Sequence, residues 1–481
     1  MCALGAAVLA VGLTARLAAT TDSIEYLFAA RSLLRGDGLL SPTGGPFIQY
    51  APLYPLAIAA VAATGLDPVD AARAITVVLV PTWVLLAGIW AGRLAGSRRV
   101  TALAGVAAVL VAPAMLGRVI LSENLVIALL LAGGLLLALA LQRRSPPWLV
   151  AAGGVLGLAA ATRWAALPMV LVGAYVFWAW PARSTRARAA LVYVVPCAAV
   201  TAVPLVRNRL ASGGSLPGTP EPGRSLPTVV GEAVRGVTAW WVPTGTPPVV
   251  RVVVAAAAAA LLVGALVLLR GQRSSAWWRT SAGPFVVGGL YLVSTVASAL
   301  MTSIGSLTSR LLTPCYPLFT VGAVSLVWSA GATQAHRLSD LGRRRTLLAA
   351  GLLPVLVIWA AAGATVVRYG TALHPRERLG PEVVGSPLLA SSLLRSGQPV
   401  ISNDPVDAAW AIGAPVAPLP GSSDEVEALA DQTGGGPVLL AWSDVPDTGA
   451  VALDGIERAC QLTQLATYDD GAVFRMEACR T

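Results

Sequence analysis

The feature that most limits what this chain can become is a series of apolar runs, each near the length of a membrane-crossing helix. Crossing the hydrocarbon core takes about 20 mostly apolar residues, with every backbone polar group satisfied inside the helix. Runs of that kind fall at roughly 2–19, 72–92, 100–115, 125–141, 148–162, 165–180, 189–205, 249–269, 281–301, 311–331 and 347–367. They predict an α-helical polytopic membrane protein with about eleven transmembrane helices. Composition agrees: 56% of the 481 residues are apolar and 12% are charged, about half the charged share of a soluble domain.

Charge sets the orientation. The formal net charge is +10, and all 34 basic residues are Arg. Residues 1–370 hold 28 Arg and 9 acids, whereas residues 371–481 hold 6 Arg and 15 acids. The basic excess therefore belongs to the membrane part, and a nucleic-acid partner is set aside. Alternate loops carry 15 Arg and one acid, Asp340, while the opposite loops carry the other eight acids. The positive-inside rule then puts the N-terminus in the cytoplasm and residues 371–481 outside a bacterial inner membrane. Met1-Cys2-Ala3-Leu4 enters apolar sequence without the basic flank of a signal peptide. Residues 2–19 thus read as the first span, with an upstream start codon left open.

Two outer loops are long. The first, about 20–71, offers a helical stretch from Asp22 to Arg35, a turn-rich GDGLLSPTGGP segment, and YAPLYPLAIAAVAATGL. The last of these is short and opens with prolines, which suits an interfacial helix. The second long loop, 206–248, is rich in Gly, Pro and Ser. Beyond residue 370 the pattern changes. PVISND, APVAPLP and GPVLLAW read as strands, SSDEVEALADQT as a capped helix, and ATYDDGAVFRMEA as a hairpin around Asp470-Gly471. This predicts a small extracytoplasmic α/β domain over 371–481, beside a membrane domain over 1–370. Cys460 and Cys479 flank the hairpin, so a disulfide and two free thiols are both open. Cys2, Cys197 and Cys315 read as packing residues. Gly133-Gly134 and Gly153-Gly154 read as helix-packing positions rather than nucleotide loops.

Candidate chemistry is confined to few residues. Asp22 and Glu25 follow the first span, three residues apart and hence on one helix face. Asp22-Ser23-Ile24-Glu25 is an acceptable capping box; a carboxylate there is also a general base for an acceptor hydroxyl. Glu123, after Ser122, is either part of a capped helix start or a catalytic acid. Arginines at outer positions (Arg118, Arg163, Arg207, Arg209, Arg310 and Arg368) run against the orientation rule. Each either snorkels to lipid phosphate or clamps a phosphate-bearing substrate. Arg163 stands out because it interrupts an otherwise apolar run from 148 to 180. No His pair, Cys cluster or Ser/His arrangement offers a metal or hydrolase site.

Taken in order, these segments resemble a known family. Asp22-Ser-Ile-Glu25-Tyr26 through Arg31, Gly36 and Gly38, then Tyr50-Ala-Pro52-Leu-Tyr54-Pro55, is similar to the first loop of the GT-C glycosyltransferases. The likeness is greatest to their protein O-mannosyltransferase and lipid A aminoarabinose-transferase branch. Ser122-Glu123, Ala161-Thr162-Arg163, Arg207-Asn208 and Ser309-Arg310-Leu-Leu-Thr-Pro314 fit the later segments. Many relatives carry two adjacent acids where this chain has Asp22-Ser23, so any role of the second acid is left open, with Glu25 as the substitute at hand. The resemblance implies a GT-C-like fold and a sugar donor linked to a polyprenyl phosphate. It also implies transfer with inversion to a hydroxyl of a glycolipid, polysaccharide or protein at the outer face of the membrane. Asp22, Glu25 and Glu123 would be the catalytic acids. Tyr26, Tyr50, Tyr54, Arg163, Arg207 and Arg310 would bind substrate. Some branches use a divalent metal, so a metal is left open. The sugar is unnamed, though mannose or arabinose would suit. A lipid or solute transporter is the alternative, but transporters keep ionisable groups near the midplane, and here eight of nine membrane-region acids fall on the outer side. A non-catalytic assembly or sensor protein would not need an acid-bearing first loop.

Overall fold

In the computed structural model the described residues are 20–98, 100–101, 104, 120–214, 224–240, 247–270, 274–301, 307–337, 386–419, 438–443 and 453–479. The spans expected at 2–19 and 347–367, most of that at 100–115, and the helix expected in SSDEVEALADQT lie outside them. Packing divides the chain into two compact units. One is built on Ile48–Tyr54 and the described part of Ala74–Leu373. The other is built on Pro55–Arg73 and the described parts of Arg16–Phe47 and His374–Thr481.

The membrane unit is helical because its sequence offers uninterrupted apolar runs. Its helices are α3 (Pro68–Ala95, which starts in the other unit), α4 (Glu123–Arg143), α5 (Pro146–Thr162), α6 (Val172–Ala179), α7 (Arg186–Ser212), α8 (Leu226–Thr238), α9 (Pro248–Leu269), α10 (Ser275–Ser281), α11 (Gly283–Met301), α12 (Ser309–Leu312) and α13 (Cys315–Arg337). Five described stretches are long and apolar enough to cross a bilayer: Pro68–Ala95, Glu123–Arg143, Arg183–Ser212, Trp277–Met301 and Cys315–Thr333. Their surfaces support that reading. Val195, Val203, Val206 and Leu210 of α7 are all more than half exposed, a face that lipid covers at no hydrophobic cost.

One expected span is corrected. Residues 165–180 are not a single α-helix but a 3-10 segment, Trp164–Leu171, followed by α6. Arg163 ends α5 in extended conformation (φ −148°, ψ 131°), and Pro168, inside the 3-10 turn, has no N–H for an α-helical bond. α5 packs between α4 and α7. Its glycines permit that approach: a Cβ on Gly153 would lie 2.3 Å from the Tyr193 carbonyl oxygen, and one on Gly157 2.8 Å from that of Cys197. The small-x-x-x-small pair thus lets two backbones meet. On the other face, a Cβ on Gly133 would meet Leu156 at 2.6 Å.

The second unit joins α1 (Thr21–Leu34), the rest of α2 (Leu53–Ala62) and a five-stranded sheet. The strands are β1 (Val400–Ser402), β2 (Ala417–Pro418), β3 (Val438–Ser443), β4 (Cys460–Tyr468) and β5 (Gly471–Cys479), in the order β2-β1-β3-β5-β4. β1 runs parallel to β2 and β3; β5 runs antiparallel to β3 and β4. α14 (Pro405–Ile412) connects β1 to β2, and α15 (Leu453–Ala459) precedes β4. Asn403, just past β1, holds β3 in register: it donates to the Ser443 carbonyl at 2.7 Å and accepts from the Ser443 N–H at 2.8 Å. The hairpin falls at Asp470-Gly471 as its residues dictate. Gly471 has φ 150° and approaches the Trp442 carbonyl so closely that a Cβ would stand 2.0 Å from it. Cys460 is disulfide-bonded, and the residue opposite it on β5 is Cys479. Cys197 and Cys315 are free and buried.

Candidate functional site

Three of the residues singled out in sequence meet in the membrane unit. Glu123, the first residue of α4, is fully buried, and its two oxygens face two arginines. Arg163 Nη1 lies 2.8 Å from Oε2, and Arg310 Nε lies 3.3 Å from Oε1. Arg163 comes from the extended break after α5 and Arg310 from the short helix α12. Ser122 occupies the N-cap position of α4 but makes no capping bond; instead its Oγ accepts from Arg163 Nη1 at 3.4 Å. Tyr291 of α11 stands beside Arg163 and Glu123, and Tyr54 beside Glu123 and Thr76. Glu123 thus lies between two guanidiniums. The guanidinium side chains are 15% and 28% exposed, while the carboxylate is 0%. The arrangement presents cationic forks outward and hides the anion, which is the polarity an oxyanion ligand requires.

Asp22 and Glu25 lie on α1, in the second unit. The capping box is not the one their spacing suggested. α1 begins at Thr21, and Thr20 is the N-cap: its side chain accepts from the Ser23 N–H, and the Ser23 hydroxyl accepts from the Thr20 N–H at 3.0 Å. Ser23 takes the reciprocal place that Glu25 was given, because the helix starts before Asp22. Asp22 is therefore a first-turn acid and not the cap. Glu25 lies one turn further on, largely buried, and its Oε2 accepts from Ser41 Oγ at 3.4 Å. Burial, and to a smaller extent the charge of Asp22, push its carboxyl up to about 7, against the opposing effect of the Ser41 bond. A carboxylate of that kind is half protonated at neutral pH and suited to taking a proton.

The remaining candidates have other surroundings. Tyr26 is buried, its ring edge-on to Phe47 at 6.4 Å. Tyr54 is also fully buried, and Tyr50 is half-buried. Arg207 sits near the end of α7, donates to Asn208 Oδ1 at 3.1 Å, and shares the helix face that carries the exposed Val203, Val206 and Leu210. Four contributors went unnoticed in sequence: Ser41, Tyr291, Trp410 and Glu232. Trp410 of α14 lies under Arg31 of α1, with the guanidinium carbon 3.6 Å from a ring centroid. Nothing in the spacing of these residues announces such contacts. Among the described residues no three His, Cys, Asp or Glu side chains gather as a metal site, so no step is derived through a metal.

No protein-family profile and no curated protein matches the chain. Solved structures do. ArnT from Cupriavidus metallidurans bound to undecaprenyl phosphate superposes with a TM-score of 0.60 at 14% identity, over 98% of this chain and 96% of that one. Archaeal oligosaccharyltransferase AglB from Archaeoglobus fulgidus, in complex with an inhibitory peptide and a dolichol-phosphate, gives 0.56 at 10% identity over 91% and 68%. The chain has the GT-C fold. The whole-length match makes the GT-C likeness of the first loop part of a shared architecture and not an isolated motif. At these identities the GT-C fold is all that the likeness carries.

Proposed function

We propose that this protein is a membrane glycosyltransferase that moves a sugar from a polyprenyl-phosphate donor to a hydroxyl acceptor, with inversion, at the outer face of a bacterial inner membrane. The observation that carries the reading is the Glu123–Arg163–Arg310 cluster, two guanidiniums held at one buried carboxylate on a GT-C fold. In the proposed reaction the acceptor oxygen bonds to the anomeric carbon as the bond from that carbon to the phosphate oxygen breaks. The lipid phosphate leaves with an added negative charge. Arg163 and Arg310 would meet that charge as it develops, where pre-placed donors contribute most. Glu123 would act as a positioning residue that holds both guanidiniums, since its own oxygens are turned to them. The acceptor proton goes to a carboxylate. Asp22 is the proposed base, with Glu25 able to share the proton from the same helix face. The exposed apolar face of α7 beside Arg207 is consistent with contact to a long isoprenoid chain, and residues 371–481 with an outer domain that meets the acceptor.

The test is transfer from a radiolabelled polyprenyl-phosphate sugar in membranes, at matched protein level. Asp22→Asn should lower turnover by roughly 10² to 10⁴, the range for losing a general base. Arg163→Ala and Arg310→Ala should chiefly weaken donor use. Full activity in Asp22→Asn would remove Asp22 from the mechanism. Failure of the wild type to consume any such donor would return the transporter reading.

A further inference from the structure

Arg310 reaches Glu123 from a segment that needs support of its own. Its helix, α12, spans four residues, and the N-cap residue Thr308 makes no side-chain capping bond. The support comes from the second long loop. α8 packs against α12, and Glu232, in the middle of α8, accepts the Leu307 N–H through Oε2 at 2.8 Å. Its other oxygen, Oε1, is ion-paired with Arg224, which stands just before α8. These contacts, the Leu307 bond among them, hold the Glu232 carboxyl below its usual range, so it stays an acceptor at any physiological pH. Leu307 is itself buried in the core of the membrane unit. Beyond α8, Trp240 packs edge-on to Tyr316 at 5.7 Å, which secures the loop to the helix that follows Arg310.

We infer that Glu232 is a positioning residue for Arg310. It anchors the backbone three residues ahead of the guanidinium, and so makes the placement of α8 a condition for a complete anion clamp. The inference rests on the proposed donor-phosphate role of Arg310. Arg224 contributes by holding the carboxylate in place, while the Leu307 bond carries the positional information.

Two readouts separate this inference from the reading beneath it. The first is the alkylation rate of a Cys at the exposed position 308 (Thr308→Cys) in the detergent-solubilised full-length protein. The second is binding of undecaprenyl phosphate together with the donor KM. Glu232→Ala should speed alkylation and raise both the donor KM and the dissociation constant about tenfold, the effect of loosening one charged contact, with kcat less affected. Glu232→Gln keeps an oxygen for the Leu307 N–H and should stay near wild type. The charge-swapped pair Arg224→Glu with Glu232→Arg restores the ion pair without an acceptor for Leu307, and should behave like Glu232→Ala. Unchanged alkylation in Glu232→Ala, or full rescue by the swap, overturns the anchoring role. Faster alkylation with unchanged donor binding overturns the link to Arg310. Absence of any wild-type binding to the polyprenyl phosphate instead sinks the donor reading, while the alkylation series still reports on the anchor.

Discussion

Glu25→Gln should make the protein more stable at alkaline pH and at the same time remove a feature of its activity profile. In the folded chain this carboxyl titrates near 7, against an ordinary value of 4.5. Because its native value is raised, the folded state holds the proton more tightly than the unfolded state does. The sign follows from linkage: stability from this group is fully present below about 4.5 and is lost as the pH rises through about 7. A rise from 4.5 to about 7 corresponds to at most about 3 kcal/mol. Gln cannot ionise, is nearly the same size, and keeps an oxygen for the Ser41 hydroxyl, so the variant should match wild type at pH 5. By pH 8 it should unfold at a clearly higher temperature. Asp404 and Asp407 of the same unit are also raised by burial, Asp407 to about 6. Both proteins retain that slope, and their difference isolates Glu25. The assay is thermal unfolding in detergent from pH 5 to 9, paired with sugar transfer over the same range. Transfer by wild type should climb near pH 7, and that limb should flatten in the variant if Glu25 shares the proton. A stability difference that does not change with pH would refute the buried-carboxyl argument. An unchanged activity limb would leave the argument standing and remove Glu25 from the chemistry.

Two further outcomes are expected. Gly153→Ala places a methyl 2.3 Å from the Tyr193 carbonyl oxygen and should destabilise the membrane unit by about 1–3 kcal/mol, read as a lower unfolding temperature in detergent. Gly154→Ala, with nothing within 4 Å of the new carbon, is the near-silent control. A single Cys placed in 181–188 should react only with membrane-permeant thiol reagents, and one placed in 213–218 with impermeant reagents in intact spheroplasts. The opposite pattern would invert the orientation on which the outer-face chemistry depends.

Much of the architecture was legible because lipid leaves few choices. A run of 20 apolar residues has one economical conformation in a bilayer, so α4, α7 and α13 follow from hydropathy alone. The break after α5 was legible in part: an Arg amid apolar residues needs a partner, and Arg163 was marked for that reason. Its partner was also marked, as a rare acid at a helix start. What spacing does not carry is that these two meet, or that Arg310 joins them, since the contacts span 40 and 187 residues of chain and arise from the packing of α4, α5 and α12. Glu232 went unmarked because nothing local distinguishes it from any other acid on a connecting helix; the backbone N–H it accepts lies 75 residues away.

The α1 cap shows how local reading can err and still inform. The Asp-x-x-Glu spacing satisfies the capping rule as well as Thr20-x-x-Ser23 does, and a sequence rule cannot tell which register the helix adopts. Helix onset decides it. Once Thr20 accepts from the Ser23 N–H and Ser23 returns the bond, both reciprocal places are filled by hydroxyls. That shift matters for chemistry more than for helix stability. With the cap supplied by Thr20, the structural explanation offered for Asp22 no longer accounts for it. Asp22 is then a first-turn acid, a position that the helix dipole favours by about 0.3–1 kcal/mol. A second acid, Glu25, is buried one turn later at a cost to the folded state. Two carboxylates on one helix face, the inner one raised to about 7 by burial, are what the Asp22→Asn and Glu25→Gln assays test.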